Sequence, residues 1–425
     1  MTNIYFETAG CSANFADSEL MAGLLKQAQF QIVDNLGDAY VVIFNTCTIK
    51  GPTEDSFFER LKEIEGLEQK KLVIVAGCVA QTAPKQLKKY PLVGTNQIHK
   101  IVEVVEEALN DNIIKLLARD EQPPLNLPRV RTSPLISIIP ISRGCQGACS
   151  FCVTKAARGH LASYPIEEIV KETKSALKEG AKEIWLASHD NGCYGLDLNT
   201  NLAQLLQELV KIPQEFKILL DEINPEHLLK YLDQFLAALA SEKIYQFVSL
   251  PAQSGSNEVL KRMNRNYTAE QFTQLAETIK ARFPQATLST DLMVGFPGET
   301  EEQHWETLNL VRNISPDIIN ISKFWPRPNT KAALLKTLPE EVIQARFSSL
   351  ASISQNITVL QNERWQGWEG YIVIDEKGRE EKQWIGRNFA YKPVVMEGNF
   401  KLGDIVKVKI KINKHTPLDL RGEIC

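Results

Sequence analysis

Three cysteines stand in one short stretch, RGCQGACSFC at residues 143–152, with the spacing C-x3-C-x2-C. The apolar run LISIIPI (135–141) precedes them and is typical of a buried strand, so one loop presents Cys145, Cys149 and Cys152 at the end of that strand. Structural zinc sites and iron–sulfur cubanes usually take four protein ligands, and the chain has no second C-x2-C pair to complete a zinc ribbon. The spacing therefore favours a cubane on three thiolates, with one iron left open.

A β-then-α pattern repeats over residues 134–355 and predicts a partial (βα)6 barrel. The segments that follow the strands are rich in glycine, proline and polar residues. Because a barrel carries its chemistry at the carboxyl ends of its strands, we expect these loops to form an active-site rim. The predicted strands are LISIIPI (135–141), EIWLAS (183–188), FKILL (216–220), YQFVSL (245–250), ATLSTDLMV (286–294) and DIINISKF (317–324).

Residues 1–118 alternate short apolar runs with helical patterns, which predicts an α/β domain with a parallel sheet. Each predicted strand is followed by a cysteine. Because the carboxyl ends of parallel strands share one edge of a sheet, the three thiols are expected to converge; separate buried structural cysteines are the alternative. The strands are IYFETA (4–9), VVIFNT (41–46) and LVIVAG (72–77), and the cysteines are Cys11, Cys47 and Cys78.

The helix after the first strand is predicted to begin near a capping Asp17 or Ser18, and another helix is predicted within HKIVEVVEEALN (99–110). Residues 119–133 are rich in proline and lack periodicity, which indicates a linker.

Residues 360–425 contain short β patterns that predict a small antiparallel β-barrel. In VKVKIKI, Lys407, Lys409 and Lys411 alternate with apolar residues and therefore share one face of a strand. From Arg364 onwards, 12 basic residues stand against nine acidic ones, although the whole chain has a formal net charge of −4. The local surplus favours RNA contact; a solvated strand with edge-protecting lysines is the alternative.

The length of 425 residues predicts two or three domains. The sequence has no apolar run long enough to span a bilayer and no signal-peptide pattern at its N-terminus, so we expect a cytoplasmic protein without a membrane partner. In that compartment eight cysteines are better explained as ligands or thiols than as disulfides.

The C-x3-C-x2-C loop on the first strand of a partial barrel resembles the radical S-adenosylmethionine (SAM) enzymes. Seven motifs in order are more narrowly similar to the methylthiotransferase family, over nearly the whole chain. NTCTIKGPTED is most similar to the archaeal and eukaryotic branch, which modifies N6-threonylcarbamoyladenosine (t6A) in tRNA. The motifs are GCSANFADSE, NTCTIKGPTED, AGCVAQ, RGCQGACSFC, PAQSGSNEVLKRMNR, DLMVGFPGETEE and WPRPNTKAA.

This resemblance implies a methylthiotransferase domain (1–118), a radical SAM core (134–355) and a TRAM RNA-binding domain (360–425). It implies SAM and two [4Fe–4S] clusters as cofactors, each cluster with an open iron. The implied ligands of the SAM-binding cluster are Cys145, Cys149 and Cys152, and those of the auxiliary cluster are Cys11, Cys47 and Cys78.

The implied reaction is methylthiolation of C2 of t6A at position 37 of tRNA. A 5′-deoxyadenosyl radical derived from SAM would abstract the C2 hydrogen, and the auxiliary cluster would hold the sulfur. The implied partners are the tRNA anticodon stem-loop, bound in part by Lys407, Lys409 and Lys411, and an electron donor of flavodoxin or ferredoxin type. A monomer is favoured.

Weaker candidates lie on the barrel loops. Arg158, just past the three-cysteine loop, is expected to meet a carboxylate or a phosphate. The family often has a histidine at Ser249 and an arginine at Leu219, and Cys193 is interpreted as a spare small residue. The candidates for the SAM or substrate rim are Phe151, Asp190, Tyr194, Gln253 and Ser254. For Arg158 and the polar members of this set, a structural hydrogen-bonding role is the alternative.

Three other functions stay open. Close relatives methylthiolate isopentenyladenosine at position 37 of tRNA or an aspartate of a ribosomal protein. The alternative of another class is a zinc-stabilised RNA-binding protein without catalysis.

Overall fold

A computed structural model describes residues 1–48, 51–119, 121–412 and 418–425. Residues 49–50 of the NTCTIKGPTED motif and residues 413–414 at the end of the lysine-rich segment lie outside the described residues. The described chain contains no helix that is long and apolar enough to cross a membrane.

The N-terminal part is a six-stranded sheet in the order β2-β1-β3-β4-β5-β6, and every neighbouring pair is parallel. The middle strands β3 and β4 are mostly apolar and buried on both faces, as expected for a covered parallel sheet. The two-residue strands were not predicted, since they are too short to show a pattern. The elements are β1 (Asn3–Ala9), α1 (Ser12–Gln27), β2 (Gln31–Ile32), β3 (Val41–Thr46), α2 (Gly51–Glu65), β4 (Leu72–Ala76), α3 (Gly77–Thr82), β5 (Leu92–Val93), α4 (Ile101–Leu109) and β6 (Lys115–Leu116).

The central part has two three-stranded sheets, β11-β10-β7 and β12-β13-β14, and all their strand pairs are parallel. A single bridge between Ile218 and Ile244 joins them, so the six predicted strands form one open barrel wall. Its elements are β7 (Ile136–Pro140), β8 (Ser142–Arg143), α5 (Thr154–Arg158), β9 (Ala162–Ser163), α6 (Ile166–Lys178), β10 (Glu183–Ala187), α7 (Leu202–Val210), β11 (Lys217–Leu220), α8 (Pro225–Leu228), α9 (Leu232–Leu239), β12 (Phe247–Ser249), α10 (Asn257–Arg262), α11 (Ala269–Arg282), β13 (Thr287–Val294), α12 (Glu301–Ile314), β14 (Ile318–Lys323) and α13 (Glu340–Glu363).

The C-terminal part is a closed barrel in the order β15-β16-β17-β19-β18. One pair, β17 with β19, is parallel, which differs from the purely antiparallel barrel predicted, because the chain crosses over before it returns. The three parts together confirm the predicted α/β fold class. The strands are β15 (Glu369–Lys377), β16 (Gln383–Arg387), β17 (Pro393–Glu397), β18 (Ile405–Ile412) and β19 (Leu420–Ile424).

The small barrel is anchored to the amino-terminal ends of the central strands. Asp317, just before β14, is fully buried and pairs with Arg364 at 2.8 Å and with Lys392 at 3.1 Å. Tyr391 packs edge-on against Tyr245 and Phe247, with ring centroids 4.8 and 5.8 Å apart. The C-terminal part is therefore attached at the end of the barrel opposite to the three-cysteine loop.

Candidate functional site

The first three cysteines follow neighbouring strands of the N-terminal sheet. Strands β1, β3 and β4 lie side by side, so Cys11, Cys47 and Cys78 come together at one edge. The backbone at Gly10 lies very close to Cys47. A Cβ added to Gly10 would lie 2.7 Å from the Cys47 Cβ, which explains a glycine at this position. This arrangement agrees with the predicted convergence and not with three separate structural cysteines.

The thiols of this first set affect one another. A hydrogen bond with Cys47 and the charge of Arg158 outweigh burial and lower the pKa of Cys78 to about 6. Burial raises the pKa of Cys11, with the charge of Cys78 adding to the shift. Cys47 and Cys78 are buried and Cys11 is half-buried, and none of the three forms a disulfide. A group of adjacent, water-shielded thiols without disulfides fits a thiolate-ligated cluster.

The second set lies on the loop after β7. A Cβ added to Gly147 would lie 3.3 Å from Cys145 Sγ and 3.9 Å from Cys149 Sγ, so both sulfurs curl around this glycine. Burial and the charge of Cys149 raise the pKa of Cys152 to about 11. Two of the thiols therefore lie close together around Gly147, and the third is near enough for their charges to act on it.

The start of the loop is fixed by Gly144. Its φ is +68°, and an added Cβ would lie 2.0 Å from the carbonyl oxygen of His160. Only glycine tolerates both the conformation and the contact.

The two cysteine sets are brought together by packing between α3, which carries Cys78, and α5, which follows Cys152. Arg158, the last residue of α5, donates from Nε to Cys78 Sγ at 3.3 Å and from Nη1 to Asp17 Oδ2 at 2.6 Å. Arg158 therefore meets a carboxylate of the N-terminal domain, and a contact with a bound carboxylate or phosphate stays a prediction.

Asp17 is the centre of a buried ion cluster. Its second oxygen accepts from Arg143 Nη2 at 2.7 Å, and all three side chains are at most 5% exposed. Burial raises the pKa of Asp17, but the two guanidinium groups outweigh burial and leave the pKa below its ordinary value. The prediction of Asp17 or Ser18 as the helix cap was wrong: α1 begins at Ser12 with Cys11 as its N-cap, and Asp17 lies mid-helix facing the barrel.

Other contacts close the N-terminal domain onto the barrel mouth. Ser12 Oγ donates to Asp221 Oδ2 at 2.5 Å, and Arg327 pairs with Glu54. Ser12 directly follows Cys11, so this contact also orients the first cysteine set towards the barrel loops.

The predicted rim residues take different places. Asp190 is buried and accepts from the backbone N–H groups of Gly192 and Asn224, each at 2.9 Å. Tyr194 is fully buried, and its hydroxyl donates to the Tyr164 carbonyl at 2.9 Å. Its predicted contact with SAM or substrate stays a prediction, while the observed contact is structural.

Of the remaining rim candidates, Phe151 lies on the three-cysteine loop itself, and Gln253 and Ser254 lie on the loop after β12. Phe151 is half-buried and packs against the small apolar cluster that contains Phe296 and Phe324. Gln253 has a φ of +63°, an uncommon conformation that a non-glycine residue adopts at a cost. Ser254 is buried, and its hydroxyl lies 3.3 Å from that of Thr307.

Several residues near the site were missed. Arg265 donates from Nη1 to Cys149 Sγ at 3.4 Å; it closes the motif PAQSGSNEVLKRMNR, whose basic end was a usable signal. Cys193 Sγ lies within 4.8 Å of Cys145 Sγ, and their hydrogen bond lowers the pKa of Cys145. Cys193 is therefore a partner of a candidate ligand and not only a small spacer.

His189 and Glu222 were also missed. Both His189 ring nitrogens are buried and lack a hydrogen-bond partner among the described residues, and burial with the charge of Arg158 lowers its pKa to about 3. Glu222 is an exposed residue, yet desolvation of its carboxyl and the charges of Asp291 and Asp221 raise its pKa to about 8. At neutral pH His189 is therefore largely uncharged, while the Glu222 carboxyl is shifted towards its protonated form.

Comparison with known proteins places this site in a family. A model of the radical SAM superfamily matches residues 139–311, and a model described as uncharacterized protein family UPF0004 matches residues 3–95. A protein of Pyrococcus abyssi named probable threonylcarbamoyladenosine tRNA methylthiotransferase is 39% identical over 416 residues, covering 95% of this chain and 97% of that protein.

The chain belongs to the threonylcarbamoyladenosine tRNA methylthiotransferase family. The human threonylcarbamoyladenosine tRNA methylthiotransferase is 37% identical over 418 residues, covering 96% of this chain and 72% of that protein. This membership confirms the predicted family, its archaeal and eukaryotic branch, and the prediction of a radical SAM enzyme.

Solved structures agree on the fold. The radical SAM methyltransferase TsrM of Kitasatospora setae matches with a TM-score of 0.58 and 14% identity, covering 78% of this methylthiotransferase chain and 74% of TsrM. The cobalamin-dependent radical SAM enzyme OxsB matches with a TM-score of 0.53 and 13% identity, covering 84% of this chain and 56% of OxsB. These distant likenesses support the fold alone.

Proposed function

We propose that this chain methylthiolates C2 of N6-threonylcarbamoyladenosine at position 37 of tRNA. The observation that carries the proposal is the packing of α3, which carries Cys78, on α5, which follows Cys152 and whose Arg158 donates to Cys78. The names of its relatives supply the substrate. A zinc-stabilised binding protein would not need two incomplete cysteine sets side by side.

The cofactors are SAM and two [4Fe–4S] clusters. We assign the SAM-binding cluster to Cys145, Cys149 and Cys152, and the auxiliary cluster to Cys11, Cys47 and Cys78. When bound, these groups supply a radical able to break the strong, non-acidic C2–H bond and a place for the sulfur that replaces that hydrogen.

The protein's own share is positioning and exclusion of water. The interdomain contacts of Asp17, Asp221 and Glu54 hold the N-terminal domain over the barrel mouth. His189 offers an uncharged hydrogen-bonding group there, which suits a neutral nucleobase better than a charged group would. We propose Phe151, Asp190 and Gln253 as rim contacts of SAM or substrate.

The proposal is tested by the modified nucleosides of tRNA from a strain that lacks this gene. We expect the 2-methylthio derivative of t6A to disappear, while t6A itself accumulates, and to return with the intact gene. Unchanged tRNA would refute the proposal, and a loss of methylthiolated isopentenyladenosine would move the substrate to the other tRNA branch. Anaerobically purified protein should hold about eight irons per chain, as two cubanes require, and no zinc.

We assign tRNA binding in part to the lysine row on β18. Lys407, Lys409 and Lys411 are exposed and alternate with buried or half-buried apolar residues, as predicted. Lys409 pairs with Glu369 at 2.7 Å and Lys411 pairs with Glu423, but exposed pairs of this kind are weak and can exchange for phosphates.

Replacing the three lysines with glutamine should therefore weaken tRNA binding and flatten its salt dependence. The magnitude of the slope of log K against log salt should fall by about 2 to 3 units, because fewer counterions are released on binding when phosphate contacts are lost. Binding measured by anisotropy over a salt series checks this. The matched control is a triple glutamine variant of the exposed lysines Lys85, Lys88 and Lys89 on the N-terminal domain. Equal slopes in all three proteins would mean that the row is only a solvated edge.

Partners and location complete the proposal. We propose a flavodoxin or ferredoxin as electron donor, a monomeric enzyme and a cytoplasmic location. The tRNA substrate is common to the relatives by name, while the donor follows from the electron that SAM cleavage consumes.

A further inference from the structure

Arg158 differs from an ordinary buried ion-pair residue because one of its donors reaches a cysteine of the other domain. Its side chain is 2% exposed, Nη1 donates to Asp17, and Nε donates to Cys78 Sγ at 3.3 Å. Its charge also acts on Cys11. The guanidinium group therefore contacts one member of the first cysteine set, and its charge acts on a second.

The third nitrogen of Arg158 has no hydrogen-bond partner among the described residues. Nη2 is buried, and leaving a buried donor of a charged group without an acceptor is unfavourable. A guanidinium group has five N–H donors in a fixed plane, so the orientation that brings Nε to Cys78 also fixes where Nη2 points. An anionic group held beside Cys78 would provide the missing acceptor.

Arg143 provides an internal comparison. It pairs with the same carboxylate at 2.7 Å and is about as buried, but its other donors go to the Tyr164 hydroxyl at 3.1 Å and the Thr95 carbonyl at 3.0 Å. All three of these contacts are to oxygen atoms. Arg143 therefore acts as an anchor between domains, whereas Arg158 also directs N–H groups towards sulfur.

We propose that Arg158 is a positioning residue of the auxiliary site that raises the reduction potential of the cluster held by Cys11, Cys47 and Cys78. Potentials of iron–sulfur centres depend on nearby charge and on hydrogen bonds to the sulfurs. Reduction adds negative charge, so a fixed cation with N–H donors at the sulfurs favours the reduced form. This inference rests on the proposed function, because it requires a cluster at these cysteines.

The test is a redox titration followed by EPR, on full-length reconstituted protein in a Cys149→Ala background that isolates the auxiliary signal. We expect Arg158→Gln to lower the ratio of reduced to oxidised cluster at least tenfold at a fixed potential, which corresponds to a shift of about 59 mV. Arg143→Gln, the matched control, should shift the ratio by less than half as much on the logarithmic scale. Equal shifts in both variants, or none in Arg158→Gln, would overturn the proposal.

Arg158→Lys keeps the inference testable if Arg158→Gln fails to fold. Lysine retains the charge but loses the planar donors, so we expect a smaller shift in the same direction. If Arg158→Lys shifted the reduction potential of the auxiliary cluster no more than Arg143→Lys does, the role of the Arg158 hydrogen bonds would be overturned. If the background protein forms no cluster at the first cysteine set, the proposed function itself fails. If the cluster forms and its potential ignores Arg158, only this inference fails.

Discussion

Cys149→Ala should abolish SAM cleavage, whereas Cys47→Ala should retain SAM cleavage and lose the methylthiolated product. Cys149 lies on the loop that we assign to the SAM-binding cluster, and Cys47 lies at the sheet edge that we assign to the auxiliary cluster. Each variant should hold about four irons per chain instead of about eight. The measurements are 5′-deoxyadenosine and methylthiolated nucleoside by mass spectrometry, with iron determined on the same samples.

Cys425→Ala is the matched control, because Cys425 is the exposed cysteine near the end of the chain. It should behave like the parent protein in all three assays. If Cys149→Ala and Cys47→Ala lost SAM cleavage to the same extent, the division of labour between the two cysteine sets would be contradicted.

Asp17→Asn should lower the stability of the interface between the N-terminal domain and the barrel more than any surface substitution. Removing its carboxylate leaves Arg143 and Arg158 as buried cations without a charge partner. Breaking a buried ion pair in this way costs about 3–5 kcal/mol. For a domain of roughly 150–250 residues, such a loss of unfolding free energy corresponds to a fall of about 10 °C in the thermal midpoint.

The measurement is thermal unfolding of the cluster-free protein by circular dichroism, so that lost iron does not confound the result. Asp55→Asn is a suitable control, because Asp55 is an exposed acidic residue on α2 of the same domain. A midpoint for Asp17→Asn equal to that of Asp55→Asn would show that the buried ion cluster does not stabilise the interface.

The sequence predicted the main strands well because their apolar runs are long and end at glycine or polar residues. VVIFNT was predicted as a strand at 41–46, and β3 covers Val41–Thr46. The two-residue strands β2 and β5 were missed because two residues cannot show a period. The crossover that makes β17 and β19 parallel likewise leaves no local pattern.

The convergence of the cysteine sets was predictable, since each cysteine occupies the same position after its strand. The role of Asp17 was not, because its partners Arg143 and Arg158 lie 126 and 141 residues away along the chain. His189 belongs to the same group: burial and then the charge of Arg158 lower its pKa, and only the folded chain supplies both. Interactions between charged residues that are far apart in the chain therefore cannot be predicted from local sequence patterns.

The attachment of the small barrel through Asp317 and Tyr391 has a geometric consequence for any RNA that engages it. The cysteines open at the carboxyl ends of the central strands, and this anchor lies at the amino ends. Strands of five to eight residues separate the two ends by roughly 20 Å. An anticodon arm that contacts both the small barrel and the cysteine sets must lie along the side of the enzyme. The position of the modified base would then be selected by its distance from the RNA segment that the small barrel binds.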